Sequence, residues 1–217
     1  MRAQRLLAVF AHPDDETLLA GGTLAASAAR GVEVSVISAS AEGERAAELQ
    51  AACRVLGVTA AESLDLPDGS LEDCREQLDA GVQAVLARRD PDVVITFGPE
   101  GLYWHPDHIA VHESVVAAAN GRPVSFATMP EGHLSDLIAE LGARGLPTDV
   151  WGLEPAAFGA PPESIDERRD VRSFLDAKLR ALKAHGSQFA EGHALRALPQ
   201  DLAERYLGWE FFAGAAP

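Results

Sequence analysis

Long apolar runs are missing from this chain of 217 residues. None approaches the ~20 consecutive apolar residues of a spanning helix, so no transmembrane helix is expected. Cysteine is nearly absent. Cys53 and Cys74, far apart and without CxxC spacing, point to two reduced thiols rather than a disulfide framework. Positive charge is also scarce, with 18 Lys and Arg against 33 Asp and Glu and a net charge of −15. That balance opposes nonspecific binding to nucleic acid or to anionic membranes. No GxSxG elbow, P-loop or GxGxxG fingerprint occurs, which sets aside serine hydrolases, NTPases and dinucleotide-dependent dehydrogenases. Met1-Arg2 runs straight into an apolar stretch and leaves no room for a signal peptide, so a cytoplasmic protein is expected. Repeats and low-complexity tracts are lacking too.

What remains is a chain with 47% hydrophobic residues, enough for one sizeable core and one expected domain over residues 1–217. Short apolar runs alternate with Leu- and Ala-rich segments. That pattern predicts βαβ units and a Rossmann-like, mostly parallel α/β sheet flanked by helices. Residues 5–11, 32–39 and 93–97 read as buried strands, with shorter ones near 61–66 and 124–129. Helices are expected over 17–30, 44–56, 71–89 and 109–119, stopped by Gly31, Gly57, Asp90-Pro91 and Asn120-Gly121. In 130–167 Gly and Pro interrupt the period, and only a short strand near 149–153 is assigned. From about residue 168 to 185 the period turns helical, giving an expected C-terminal helical segment. A last helix or strand follows over 198–212.

Two clusters of potential ligands stand at predicted strand exits. Ala11-His12-Pro13-Asp14-Asp15-Glu16 follows the first strand and opens the first helix. His105-Pro106-Asp107-His108 follows the strand at 93–97. The C-terminal edge of a parallel sheet is where ligands bind. A tight turn there can aim His12 and Asp15 at one cation while Asp14 points elsewhere and works on water. His12, Asp15 and His108 supply two imidazoles and a carboxylate and leave a coordination position open. This is the donor pattern of hydrolytic Zn2+, and Fe2+ or another divalent ion suits the same atoms. Such an ion lowers the pKa of water towards ~7 and polarises a carbonyl, so amide attack becomes feasible at neutral pH.

Within that arrangement Asp14 is the general base. His105 is the acid or oxyanion stabiliser if it carries a proton, with Asp107 orienting its imidazole and favouring the charged form. Taken alone, the first cluster is also an acidic helix N-terminus, and the second a loop of satisfied histidines. Their joint occurrence at two strand exits argues for one site. His112 reads as a surface or supporting residue, since three ligands and water complete the site without it. His133 and His193 have no ligand spacing.

The two clusters, with Gly21-Gly22-Thr23 after the first, resemble the signature motifs of the LmbE-like/PIG-L zinc deacetylase family. Its members remove an N-acyl group, usually acetyl, from glucosamine-containing conjugates. Weaker similarity runs over most of the chain. It passes through Arg45-Ala46-Ala47-Glu48-Leu49 before Leu56-Gly57-Val58, through Pro67-Asp68-Gly69, and from Lys178 to Ala184-His185-Gly186-Ser187-Gln188. The resemblance implies the same ligands, base and acid, places the Tyr103 hydroxyl near the substrate carbonyl, and assigns Arg45 and Asp68 to substrate binding. Each has a plainer reading. Tyr103 can pack with Trp104, Arg45 can pair with Glu48 at i,i+3, and Asp68-Gly69 can simply turn the chain. His185 and Gln188 are read as packing or exposed residues rather than pocket lining. One departure from the family is clear. Many members carry a Thr-x-Gly-Glu loop and a longer insertion before the Arg-x-x-Glu motif, where this chain has only Ser38 to Gly43 before Arg45.

The expected function is therefore metal-dependent N-deacetylation of a small amino-sugar conjugate. Two other classes stay open on sequence. A nonhaem iron oxygenase uses the same two-His-one-carboxylate set, usually on a jelly roll. A nonenzymatic sugar- or metal-binding module would not require Asp14 and His105 beside the open position. A homo-oligomer is neither required nor opposed by the sequence.

Overall fold

In the computed structural model, which describes residues 4–214, the apolar runs are laid side by side. β1 (Arg5–Phe10), β2 (Glu33–Ser38), β3 (Ala60–Ser63), β4 (Val93–Phe97), β5 (Val124–Thr128), β6 (Glu167–Asp170) and β7 (Trp209–Ala213) form one sheet of order 3-2-1-4-5-7-6. The first five strands run parallel, β7 is antiparallel to β5, and β6 is antiparallel to β7. The mostly parallel α/β sheet read from the sequence is thus present. The helices are α1 (Asp15–Ala29), α2 (Glu44–Leu56), α3 (Arg75–Arg89), the single turn α4 (Gly101–Trp104), α5 (Pro106–Ala118), α6 (His133–Ala143) and α7 (Leu175–Ala184), with short helical turns besides, among them Gln200–Leu202 running into Ala203–Leu207 just before β7. α1, α2 and α7 pack together, as do α3 and α5. Right-handed crossovers put these two groups on opposite faces of the sheet.

From β1 the chain winds outward through β2 and β3, then returns to β4 and winds the other way. Leu6 is in register with Val93 and Ala8 with Ile95, so the two strands end level. The rings of Phe10 and Phe97 meet edge-on there, 5.0 Å apart. The crevice beyond these two ends is the topological switch point of the sheet. Both ligand clusters open into it.

α1 explains its own composition. Asp15 to Ala25 is buried throughout, between the sheet and α2 and α7. A helix enclosed on all sides has no polar face to spare, hence its Leu, Ala and Gly. A buried ion pair crosses this layer: Lys178 on α7 donates to Glu210 on β7 at 2.7 Å, and both are 1% exposed. Glu210 also accepts from the backbone N–H groups of Gly22 and Thr23.

Several elements differ from the sequence reading. α5 starts at Pro106 rather than 109, because Pro suits the first helical position and the His105 side chain caps the Asp107 N–H. α3 starts at Arg75, after a turn over 71–74. α6 was not expected, although Leu134, Leu137, Ile138 and Leu141 recur at helical spacing, and Leu134, Leu137 and Leu141 are buried. The strand near 149–153 reduces to one bridge between Asp149 and His193 and a turn at Trp151.

The helical segment from about 168 begins only at Leu175, since Glu167–Asp170 is the edge strand β6. Two arginines sit on this strand. They lie over β7, Arg168 3.6 Å from the Trp209 ring and Arg169 3.9 Å from that of Phe212. Cys53 and Cys74 are free thiols. No helix among the described residues is long and apolar enough to cross a membrane.

Candidate metal centre

Past Phe10 the chain makes a tight turn into α1. Asp14 occupies the N-cap with φ 119° and ψ −32°, a region that side chains disfavour. That dihedral separates two adjacent carboxylates. Asp15 turns back and accepts the His12 N–H at 2.8 Å, closing the turn. Three donor atoms then converge. His12 Nδ1 is 3.2 Å from His108 Nε2 and 3.6 Å from Asp15 Oδ2, and His108 Nε2 is 3.6 Å from Asp15 Oδ1.

The far nitrogen of each ring is held. His12 Nε2 meets Asp107 Oδ2 at 3.1 Å and Asp68 Oδ1 at 3.0 Å, and His108 Nδ1 meets the Gly101 carbonyl at 3.0 Å. Such partners fix the tautomer and turn the opposite lone pair inward, as around metal-binding histidines. The donor set therefore fits a divalent cation. His12, Asp15 and His108 are the residues that would hold it.

Phe97 stacks on His108 at 4.0 Å, which stiffens the second imidazole. The turn carrying it is strained. Gly101, Leu102 and Trp104 have φ of 54°, 66° and 63°. At Gly101 an added Cβ would stand 2.9 Å from Ile109 Cγ1, so only glycine fits. Outliers of this kind cost ~1–3 kcal/mol each and collect at functional sites. Here the turn brings the Tyr103 ring to 5.4 Å from His105 and 5.3 Å from His108.

Charge follows from burial. Burial and the neighbouring Asp15 push the Asp14 carboxyl well above the ordinary carboxylate range. Burial likewise lifts Asp15 to about 6, with His12 opposing. For His12, burial is outweighed by the Asp107 and Asp68 hydrogen bonds, which hold its pKa up at about 10. A ligating cation has to displace that proton. Burial and the His12 charge push His108 down, which leaves it neutral and able to coordinate. Burial and the carboxylates of Asp15 and Asp14 push the Tyr103 phenol up, so it keeps its proton.

The second cluster departs from its expected roles in one respect. The Asp107 carboxylate does not orient His105. It bonds His12 and the N–H groups of Gly69 and Leu71, at 2.7 Å and 3.0 Å. Because Asp107 is the second residue of α5, only its backbone N–H reaches His105 Nδ1, at 3.1 Å. Nor is His105 driven to its charged form, since burial and the His12 charge lower its pKa against the pull of Asp107. With Nδ1 accepting, a neutral His105 carries its proton on Nε2 and still donates.

A cavity of about 210 Å³ opens over the cluster. Asp14, Tyr103 and His105 line it. Arg45 donates to Asp68 Oδ2 at 2.7 Å across its polar side, with the Pro13 carbonyl at 3.1 Å and Asp14 Oδ2 at 3.9 Å. Arg45 therefore does not pair with Glu48, which instead binds Ser187 through N–H and Oγ at 2.8 Å and 2.6 Å. The apolar side is Leu18, Leu102, Trp151 and Phe158. His112 is no ligand; its Nδ1 meets the Phe97 carbonyl at 2.8 Å.

Residues 7–119, both ligand clusters included, match the PIG-L family, described as GlcNAc-PI de-N-acetylase. The chain belongs to the PIG-L family. Among its relatives, the 1D-myo-inositol 2-acetamido-2-deoxy-alpha-D-glucopyranoside deacetylase 1 of Saccharopolyspora erythraea is 36% identical over 85% of this chain and 77% of its own length. The enzyme of that name, without the number, from Acidothermus cellulolyticus is 33% identical over 95% of this chain and 87% of its own. A conserved protein of Thermus thermophilus shares the fold with a TM-score of 0.66 at 29% identity, covering 98% of this chain and 94% of that one. In both enzyme alignments roughly 50 positions of the relative face no residue here.

The sequence reading missed part of the cavity's support. Gln188 lines the cavity, and its carbonyl accepts from Trp151 Nε1 at 3.0 Å. His185 is fully buried against Glu16 at 2.8 Å. The similarity at Ala184 to Gln188 was the available signal. Its meaning depended on partners 37 residues away for Gln188 and 169 for His185.

Proposed function

We propose that this protein is a zinc-dependent N-deacetylase that hydrolyses the N-acetyl amide of a small glucosamine-containing conjugate. One observation carries the reading. Three donors converge at His12, Asp15 and His108, while a fourth buried group, Asp14, stands outside that set on the same cavity wall. Two nitrogens and one carboxylate with a position to spare suit hydrolytic zinc. When bound, the ion supplies Lewis acidity, lowering the pKa of water and polarising the amide carbonyl.

Asp14 accepts the proton of the attacking water, a task helped by its raised pKa. Tyr103 and the Nε2–H of His105 donate to the developing oxyanion. Asp14 then returns that proton to the leaving amine, while His105 keeps its proton and only donates a hydrogen bond. Arg45 and Asp68 meet the sugar hydroxyls through charge-assisted hydrogen bonds. The relatives' names support the acetamido sugar. The missing ~50 positions leave the inositol aglycone without equal support. A nonhaem oxygenase would have no use for a base at Asp14.

Detection of acetate and free amine from a panel of N-acetylglucosaminyl conjugates, with zinc-loaded and chelated protein, tests the proposal. Equimolar acetate and amine that disappear on chelation are expected. Oxygen uptake with a 2-oxo acid and no acetate would overturn it.

A further inference from the structure

Behind the cavity lies a buried acid–imidazole pair that belongs neither to the converging donors nor to the cavity lining. Glu16 sits on the first turn of α1 and His185 just past the end of α7, at 1% and 0% exposure. His185 Nε2 donates to Glu16 Oε1 at 2.8 Å, and Thr17 Oγ1 donates to the same oxygen at 2.5 Å. Charged groups are rarely enclosed this fully unless paired. The remaining bond of this pair leads to the candidate base: Glu16 Oε2 accepts the backbone N–H of Asp14 at 2.9 Å.

Asp14 needs such a hold. At φ 119° its Cβ crowds the main chain, and a free residue would relax to negative φ. Its own carbonyl is committed to the N–H groups of Thr17 and Leu18, at 3.0 Å and 2.9 Å. The part left to swing is the Pro13–Asp14 peptide. Both polar atoms of that peptide are pinned, the N–H by Glu16 and the Pro13 carbonyl by Arg45 at 3.1 Å. Its orientation sets the direction of the Asp14 side chain. His185 also shapes the opposite wall, since its carbonyl accepts from Gln188 and Phe189.

We infer that Glu16 and His185 are positioning residues for Asp14: the pair locks the Pro13–Asp14 peptide, so that Asp14 faces the cavity while Asp15 faces the metal donors. The inference rests on Asp14 as the base of the proposed hydrolysis. Losing the pair leaves the donors of His12 and His108 in place and turns the base away.

The test uses zinc-loaded wild type, E16M and E16Q. Crystal structures read φ at residue 14, and kcat and KM are measured on a chromogenic N-acetylglucosaminide with free-amine detection. E16M removes the acceptor. It should keep its zinc and near-normal KM, lose ~10²-fold in kcat, and show Asp14 relaxed out of positive φ. E16Q keeps an amide oxygen for the Asp14 N–H and should recover at least ~10-fold of that loss. E16M with φ still near 119° and unchanged kcat, however much less stable, overturns the inference. If E16M does not fold, H185L against H185Q decides by the same two readouts. H185Q, with an N–H for Glu16, should retain most of the turnover lost in H185L, and equal values with unchanged φ overturn the inference. Should wild type release no amine from the probe, the deacetylase reading fails. The crystallographic arm still settles the positioning claim.

Discussion

The stretch matched by the family, residues 7–119, and the stretch after it meet across one cavity but are built on different terms. The first holds every proposed ligand and the proposed base, on turns that follow parallel strands. Those turns are strained at Asp14, Leu102 and Trp104. The second contributes Trp151, Phe158 and Gln188 to the wall, together with Glu210, which pairs with Lys178 and accepts from the α1 backbone, and His185, which bonds Glu16 of α1. The proposed chemistry sits on the first stretch, and the second, which adds parallel β5 and antiparallel β6 and β7, packs against it and shapes the cavity. Strain at a site persists only where surrounding structure over-determines it. On the inference above, His185 is such a support for the turn at Asp14, acting through Glu16.

If that division holds, variants of the two stretches should separate turnover from stability. The largest effect belongs to the ligands. Replacing both His12 and His108 by Ala should abolish stoichiometric zinc binding, measured by metal analysis after dialysis, and reduce turnover to background. Full one-equivalent binding in that double variant would move the metal elsewhere. Next comes D14N, which removes the base but preserves shape. A loss of ~10²–10⁴ in kcat is expected with zinc content unchanged. Its melting temperature should not fall, because burial and Asp15 already disfavour the ionised carboxyl in the fold. Near-normal turnover would hand the base role to another group.

Lys178 of the second stretch, which pairs with Glu210 and not with the Glu16 that holds the Asp14 turn, should behave in the opposite way. K178M strands the Glu210 carboxylate in the core, and breaking a buried pair on one side costs ~3–5 kcal/mol. At ~2–4 °C per kcal/mol for a chain of this size, calorimetry should show a melting temperature lower by about 10 °C. Assayed well below that temperature, kcat should stay within about threefold of wild type, a rate ratio worth under ~1 kcal/mol. A variant that melts normally but turns over slowly would erase the proposed division.

The same division marks where the sequence was legible. β1, β2, α2 and β4 follow from local signals: apolar runs, and the left-handed stop at Gly57. The proposed ligands could be picked out because each cluster is contiguous and follows such a run. Arg45 and Asp68 had plain alternatives until the fold set them 2.7 Å apart. Asp107 was assigned to the wrong imidazole, because its choice of His12 over His105 depends on how two strand exits face each other. β6 read as helix because its partner, β7, lies some 40 residues on, and the rings its arginines cover belong to that strand. Glu16 looked like an ordinary acidic first-turn residue, with its imidazole 169 positions away. What sequence could not supply in each case was a distant partner.

Tyr103 carries the smallest expected effect and the sharpest comparison, since it stands on the seam. It comes from the first stretch, yet its ring packs against Phe158 of the second at 4.6 Å. Y103F keeps that ring contact and removes only the hydroxyl. If the hydroxyl donates to the oxyanion, kcat should drop, by less than for D14N because the metal and His105 remain. The net worth of one neutral hydrogen bond, ~0.5–1.5 kcal/mol, corresponds to roughly 2- to 13-fold. The melting temperature should not move, and KM should change little, because the bond strengthens as charge develops on the carbonyl oxygen. A fall in melting temperature with intact kcat would assign Tyr103 to packing between the two stretches and leave His105 as the remaining donor to the oxyanion. A loss in kcat much beyond that range would mean that the hydroxyl does more than polarise. Its pKa, held up by burial and the surrounding carboxylates, argues against a proton-transfer role at neutral pH.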